Sequence, residues 1–180
     1  MAILNRFSEM FSEISTWRRD LHAHPELRFE EYRTAAFVAS KLKEFGVNEI
    51  VTGFGGTGVV GVIHGRIDTS GRSIGFRADM DALPIQEVND LPHASRAPGK
   101  MHACGHDVHT TILLGAAKIL WSLRDEFEGT IKLLFQPGEE KNPGGASYMI
   151  RDGALQNPTP QGIVALHVHP GLDLGKLSFR

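Results

Sequence analysis

MHACGHDVHTTILLGAAKILWSLRDEFEGTIKLLFQPGEE, Met101–Glu140, holds the helix–strand alternation on which the fold class turns. From about Asp107 to Leu123, Ile112, Leu113, Ala116, Ile119, Leu120 and Leu123 recur at helical spacing, which predicts a long helix with one apolar side. TIKLLFQ, Thr130–Gln136, is a short apolar run between turn residues and predicts a strand. Polar, chemistry-bearing clusters bracket this helix–strand unit: Cys104, His106, Asp107 and His109 at its start, Glu139 and Glu140 at its end.

The alternation continues outward in both directions. A helix over about Ile3–Leu21 places Ile3, Leu4, Phe7, Phe11, Ile14, Trp17 and Leu21 at helical spacing. Pro25 biases His24 out of the helical region and breaks it. A second helix, about Glu31–Phe45, is stopped by Gly46. Short β-rich runs follow in VNEIV, GVVGVIHG and SIGFRADM, and beyond Glu140 come a short helix near Ala146–Asp152, a strand in GIVALHV and a last run, GKLSFR. Helices alternating with short apolar strands define an α/β class, with a mixed, mostly parallel sheet flanked by helices.

Composition narrows the function classes. The 180 residues suffice for one domain with a real core, 41% are hydrophobic and 22% charged, and the net charge of −2 offers nothing to a polyanion. Lys and Arg are scattered, which argues against nucleic acid. No apolar run approaches the length of a membrane span, and the first residues lack the pattern of a signal peptide. A single cysteine cannot form an internal disulfide, which fits a reducing compartment, and the expected setting is cytoplasmic. The chain stops straight after a strand-like run, as expected of a cut through a larger protein.

Gly56, Gly58 and Gly61 match the dinucleotide-binding spacing, and Asp79 lies at about the distance of a ribose contact. The context is wrong, because these glycines run into a β-branched strand instead of opening a helix. Three other clusters matter more. FRADMD, FQPGEE and ALHVHP each end a strand, the place where sites form in open α/β sheets, so Asp79, Asp81, Glu139, Glu140, His167 and His169 are expected to converge on one rim. The Cys104 cluster at the helix N-terminus faces the same rim.

Cys104 and His106, one residue apart, can share an ion or an ion pair, and a metal would deprotonate the thiol. A redox role lacks a CxxC partner, and a structural zinc site would want more sulfur. A cysteine nucleophile with His106 or His109 as its base stays open as an alternative. Glu139 and Glu140 point in different directions on a turning segment, so one can hold metal while the other faces a bound water. His167, still within its apolar run, is a better ligand candidate than His169, which Pro170 turns away.

Taken together, RRDLHAHPEL, FRADMDALPIQE, KMHACGHDVHT, FQPGEE and ALHVHP resemble the amidohydrolase branch of the aminoacylase/carboxypeptidase (M20) metallopeptidase family, which includes N-acyl-amino-acid amidohydrolases, hippurate hydrolases and auxin-conjugate hydrolases. The resemblance implies cleavage of the amide of an N-acyl amino acid or small peptide by an enzyme with two divalent ions; a thiolate and imidazoles favour Zn²⁺, while the carboxylates would accept Mn²⁺ or Co²⁺. It implies metal ligands at Cys104, His106, Glu140 and His167, a general base at Glu139 and a supporting Asp79, and gives no role to His102, His109 or His169. It also implies that residues 1–180 are the N-terminal portion of a catalytic domain. The rest of that domain, with a further metal-ligand His, and a dimerisation domain that makes full-length relatives homodimers would lie elsewhere. The alternative for the chain alone is a metal-binding fragment without turnover. Two departures stand out: Gly138 where the family has Ala, and KNPGGAS where it has a glycine-rich run.

Overall fold

The computed structural model describes residues 2–66 and 70–179, with side chains from Asn5 onward. The sequence-assigned positions Ile3, Leu4 and Arg180 therefore fall outside the described side chains. The element order is α1 (Ala2–Ala23), α2 (Tyr32–Phe45), β1 (Glu49–Phe54), β2 (Gly58–His64), β3 (Ser73–Asp79), α3 (His106–Ser122), a 3-10 turn (Arg124–Glu126), β4 (Thr130–Gln136), α4 (Gly144–Arg151) and β5 (Ile163–Ala165).

The strands form one open mixed sheet in the order β1-β2-β4-β3-β5. β1–β2 and β2–β4 pair antiparallel, while β3–β4 and β3–β5 pair parallel. The parallel half matters for function: β3, β4 and β5 deliver their carboxyl ends to one rim. Alternation along the strands sorts side chains into two layers. Val59, Ile63, Leu133 and Phe135 join Trp17 of α1, Val38 and Leu42 of α2 and Leu114 of α3 in the main core. Val60, Val62 and Leu134 face the other way, under Met149 of α4 and Ala154. Full burial of one such side chain contributes roughly 1.5–3 kcal/mol before entropy is counted.

Local rules explain the helix ends. α2 opens on the Glu26 carboxylate, which accepts from the backbone N–H of Arg33 (2.9 Å) and Thr34 (2.8 Å), satisfying donors that a helix start leaves free. It closes on Gly46, whose φ of 102° suits a residue without Cβ. In α3 the most buried positions include Leu114 and Ala117, off the apolar side that periodicity picked out, because α1, α2 and the sheet enclose this helix from several directions. α1 departs in the opposite sense: Phe7 and Phe11, expected on its apolar face, are exposed, and the core contact is made by Trp17 and Leu21.

Two expected strands are shorter or missing. The GIVALHV run pairs only over Ile163–Ala165, and Gly175–Phe179 forms no strand. The GxGxxG glycines sit in the β1–β2 connection and in β2, with no helix following, so no dinucleotide site is built there. No helix among the described residues is long and apolar enough to cross a membrane.

Candidate metal centre

Four segments build the rim. Beyond β3, Leu83 and Met101 exchange backbone hydrogen bonds at 3.0 Å, zipping the loop that leaves the strand to the loop that enters α3. Cys104 is thereby brought beside the Asp79–Asp81 segment. Between the two sequence-expected ligands stands Gly105, at φ 85°, where a Cβ would overlap the Val168 side chain. A non-glycine residue could neither adopt that turn cheaply nor admit the tail of β5 so close. Gly138, at φ 55°, bends the chain after β4 and presents Glu139 and Glu140 to the same space.

His106 is the hub. It is fully buried, and its Nδ1 donates to Asp81 Oδ1 at 3.1 Å. Its Nε2 has no hydrogen-bond partner, and lies 3.7 Å from Glu140 Oε1 and 3.8 Å from Asp79 Oδ1. A buried ring nitrogen whose opposite nitrogen is held by a carboxylate is the arrangement of a metal-ligating histidine. Potential donors surround it: Cys104 with His167, and Glu139 with Glu140, each form with His106 a set whose ligand atoms all lie within 4.8 Å. Cys104 Sγ is 3.5 Å from His167 Nε2, and His167 Nδ1 donates to the Val168 carbonyl, leaving Nε2 available.

His109 also meets His106 and Asp79 in one such set, yet both of its nitrogens are engaged. Nδ1 donates to Asp79 Oδ1 at 2.6 Å, and Nε2 accepts the Val168 N–H at 3.0 Å. It is a strut between the end of β3 and the tail that carries His167. Asp79 Oδ2 in turn faces the Arg77 guanidinium at 2.7 Å.

The electrostatics call for a cation. Burial and the neighbouring Glu140, Asp79 and Glu139 carboxylates push the Cys104 thiol up to about 12. A thiol so placed is neither a good nucleophile nor a redox group, which weakens the cysteine-nucleophile alternative. Burial disfavours a charge on His106, but Asp81, Asp79 and Glu140 outweigh it and raise its pKa. Burial likewise opposes ionisation of Asp79, yet the His109 hydrogen bond and the charges of His106 and Arg77 hold it at about 2. A divalent ion would take the place of protons on Cys104 and His106, and soft sulfur, imidazole and carboxylate together form a donor set that fits such an ion.

The structure therefore brings Cys104, His106, Glu139, Glu140 and His167 together, with Asp79 adjoining. Two placements differ from expectation: His167 lies beyond the end of β5 and is exposed instead of sitting within a strand. His169 turns aside to accept the Gly171 N–H. Asp81 was legible as one acidic residue at a strand end; its grip on His106 was not. His102 is buried with both ring nitrogens unpartnered, and burial holds its pKa at about 4, so it is neutral.

Thiol, imidazole and carboxylate donors gathered at the strand ends of an α/β sheet form a set that suits a divalent metal ion. Comparison with known proteins makes this specific: residues 75–180 match the model of Peptidase family M20/M25/M40, and the chain belongs to that family. It is 46% identical over 169 residues to the N-acyl-L-amino acid amidohydrolase of Geobacillus stearothermophilus, covering 94% of this chain and 44% of that protein. It is 48% identical over 156 residues to the hippurate hydrolase of Campylobacter jejuni, covering 87% and 39%. A Bacillus subtilis structure described as a dinuclear metal-binding peptidase of the M20 family superposes with a TM-score of 0.84 at 42% identity, covering 92% of this chain and 45% of that one. The chain thus spans less than half the length of these relatives.

Proposed function

We propose that this chain is the N-terminal part of the catalytic domain of an amidohydrolase that cleaves the amide of N-acyl amino acids or small peptides. The observation that carries the reading is the bare, buried Nε2 of His106 at the centre of sulfur, nitrogen and oxygen donors. Cys104, His106, Glu140 and His167 would hold a pair of divalent ions. Zn²⁺ suits the thiolate and imidazoles, while the carboxylates also accept Mn²⁺ or Co²⁺. When bound there, such ions would polarise a carbonyl and lower the pKa of a water to about 7.

The chain's own residues do the rest. Glu139, the more exposed of the glutamate pair, takes a proton from the attacking water and passes it to the departing amine nitrogen. Asp81 orients His106. Asp79 fixes His109, and through Val168 the tail that bears His167. The remaining ligand, the groups that grip the substrate and a dimerisation domain of the kind expected in homodimeric full-length relatives would come from sequence outside this chain, in a cytoplasmic protein.

The test is metal content by mass spectrometry, together with hydrolysis of a panel of N-acyl amino acids, on this chain and on a longer protein that contains it. Bound metal in both and EDTA-sensitive turnover in the longer one are expected. EDTA-resistant turnover abolished by thiol alkylation would favour the cysteine-nucleophile chemistry instead.

A further inference from the structure

The segment HPELRFEE, Glu26 to Glu31 above all, takes no part in the chemistry described so far, yet it touches both acidic loops of the site. The Glu26 carbonyl accepts from Ala82 N–H at 2.8 Å, next to Asp81, and Leu27 bridges Ala82. Phe29 packs on the turn before the glutamates, its ring so placed that a Cβ on Gly138 would lie 2.6 Å from it. Glu31 reaches furthest. Its side chain is fully buried, and it is not needed to cap α2, since Glu26 does that. Its Oε1 accepts the Gly138 N–H at 2.8 Å, and its Oε2 accepts Thr57 Oγ1–H at 2.5 Å.

We propose that Glu31 is a positioning residue for the Glu139–Glu140 pair. By holding the Gly138 N–H it sets the Pro137–Gly138 turn, and so the angle at which the next two carboxylates enter the site. The other side of that turn is already tied, because the Gly138 carbonyl accepts the Gly145 N–H at 2.9 Å. A buried carboxylate is costly unless its oxygens are satisfied, and here both are spent on the turn and on the β1–β2 connection. Acceptor geometry, rather than charge, is what the turn requires, so a glutamine should serve in its place.

This inference rests on the metal-centre reading, and it is tested with Co²⁺, whose thiolate charge-transfer absorption through Cys104 reports occupancy and geometry. Titrating this chain with Co²⁺, we expect the band in the wild type. Glu31→Ala should alter it and bind Co²⁺ about 10–100-fold more weakly, the range for losing a partner that orients a ligand. Glu31→Gln should restore both. Should Glu31→Ala fail to fold by circular dichroism, Glu31→Asp decides: a carboxylate one methylene shorter cannot span both Thr57 and Gly138, so the same weakening is expected. No band in the wild type would overturn the metal reading and this role with it. A wild-type band and affinity kept by either folded variant, Ala or Asp, would overturn the positioning role alone, as would a Gln variant no better than Ala.

Discussion

His106 concentrates the chemistry because its two nitrogens have opposite fates, one spent on Asp81 and one left bare. Asp81→Ala should therefore weaken metal binding about 10–100-fold while removing no ligand side chain; isothermal titration with Zn²⁺ measures this, and unchanged affinity contradicts it. The adjacent glutamates are expected to separate by role in a full-length enzyme. Glu139→Ala should keep its metal and lose about 10²–10⁴-fold in kcat, the range for a general base, whereas Glu140→Ala should lose metal. Equal metal loss in both variants would sink the assignment. Composition and spacing displayed these residues, since ACGHD, PGEE and ADMD stand out as quoted. The pairing of Asp81 with His106 did not show, because they lie 25 positions apart across an irregular loop, and only the fold decides which acid meets which ring.

At the scale of elements, periodicity placed α2, α3 and β4 to within about one residue. Each is a single amphipathic or apolar run, and α2 also has a clear local reason to stop at Gly46. It overstated β5, whose apolar residues are exposed and which pairs with β3 alone. The α3 N-terminus depends on two devices. One is Gly105: Gly105→Ala should cost at least about 1–2 kcal/mol from the left-handed backbone alone, and more from the overlap with Val168. Urea denaturation reads this as a lower midpoint. The other device ties α1 to α3, where His22 Nδ1 donates to Asp107 Oδ2 at 2.8 Å and Nε2 lies 3.2 Å from Glu87. The Asp107 hydrogen bond outweighs burial, and the His22 pKa is raised above its usual 6.5. A raised folded-state pKa stabilises fully below the unfolded value and is lost as pH climbs through the folded one. Stability of the metal-free chain should accordingly fall as pH rises above about 6.5, and His22→Gln should flatten that slope; an unchanged slope would contradict it.

For the molecule as a whole, the α/β class and the rim of strand ends were legible in the sequence, because an alternating pattern of elements admits few layered solutions. What joins the rim into one unit could not be read: the Leu83–Met101 zip, the His109 strut and the Glu31 tie are contacts between segments distant in sequence. Such a rim crowds Asp79, Asp81, Glu139 and Glu140 around one imidazole and a thiol held at about 12, and binding of an ion should stabilise the fold by mass action. At a free concentration of one hundred times Kd the gain is about 2.7 kcal/mol per site, visible as a rise in Tm that EDTA reverses. Whether these residues hold metal is decided by the metal stoichiometry of this chain beside its Cys104→Ala and His106→Ala variants, by mass spectrometry after gel filtration. Bound Zn²⁺ or Mn²⁺ is expected in the parent chain and its loss in both variants, each still folded by circular dichroism. A metal-free parent chain, or variants that keep the parent's metal, would contradict this expectation.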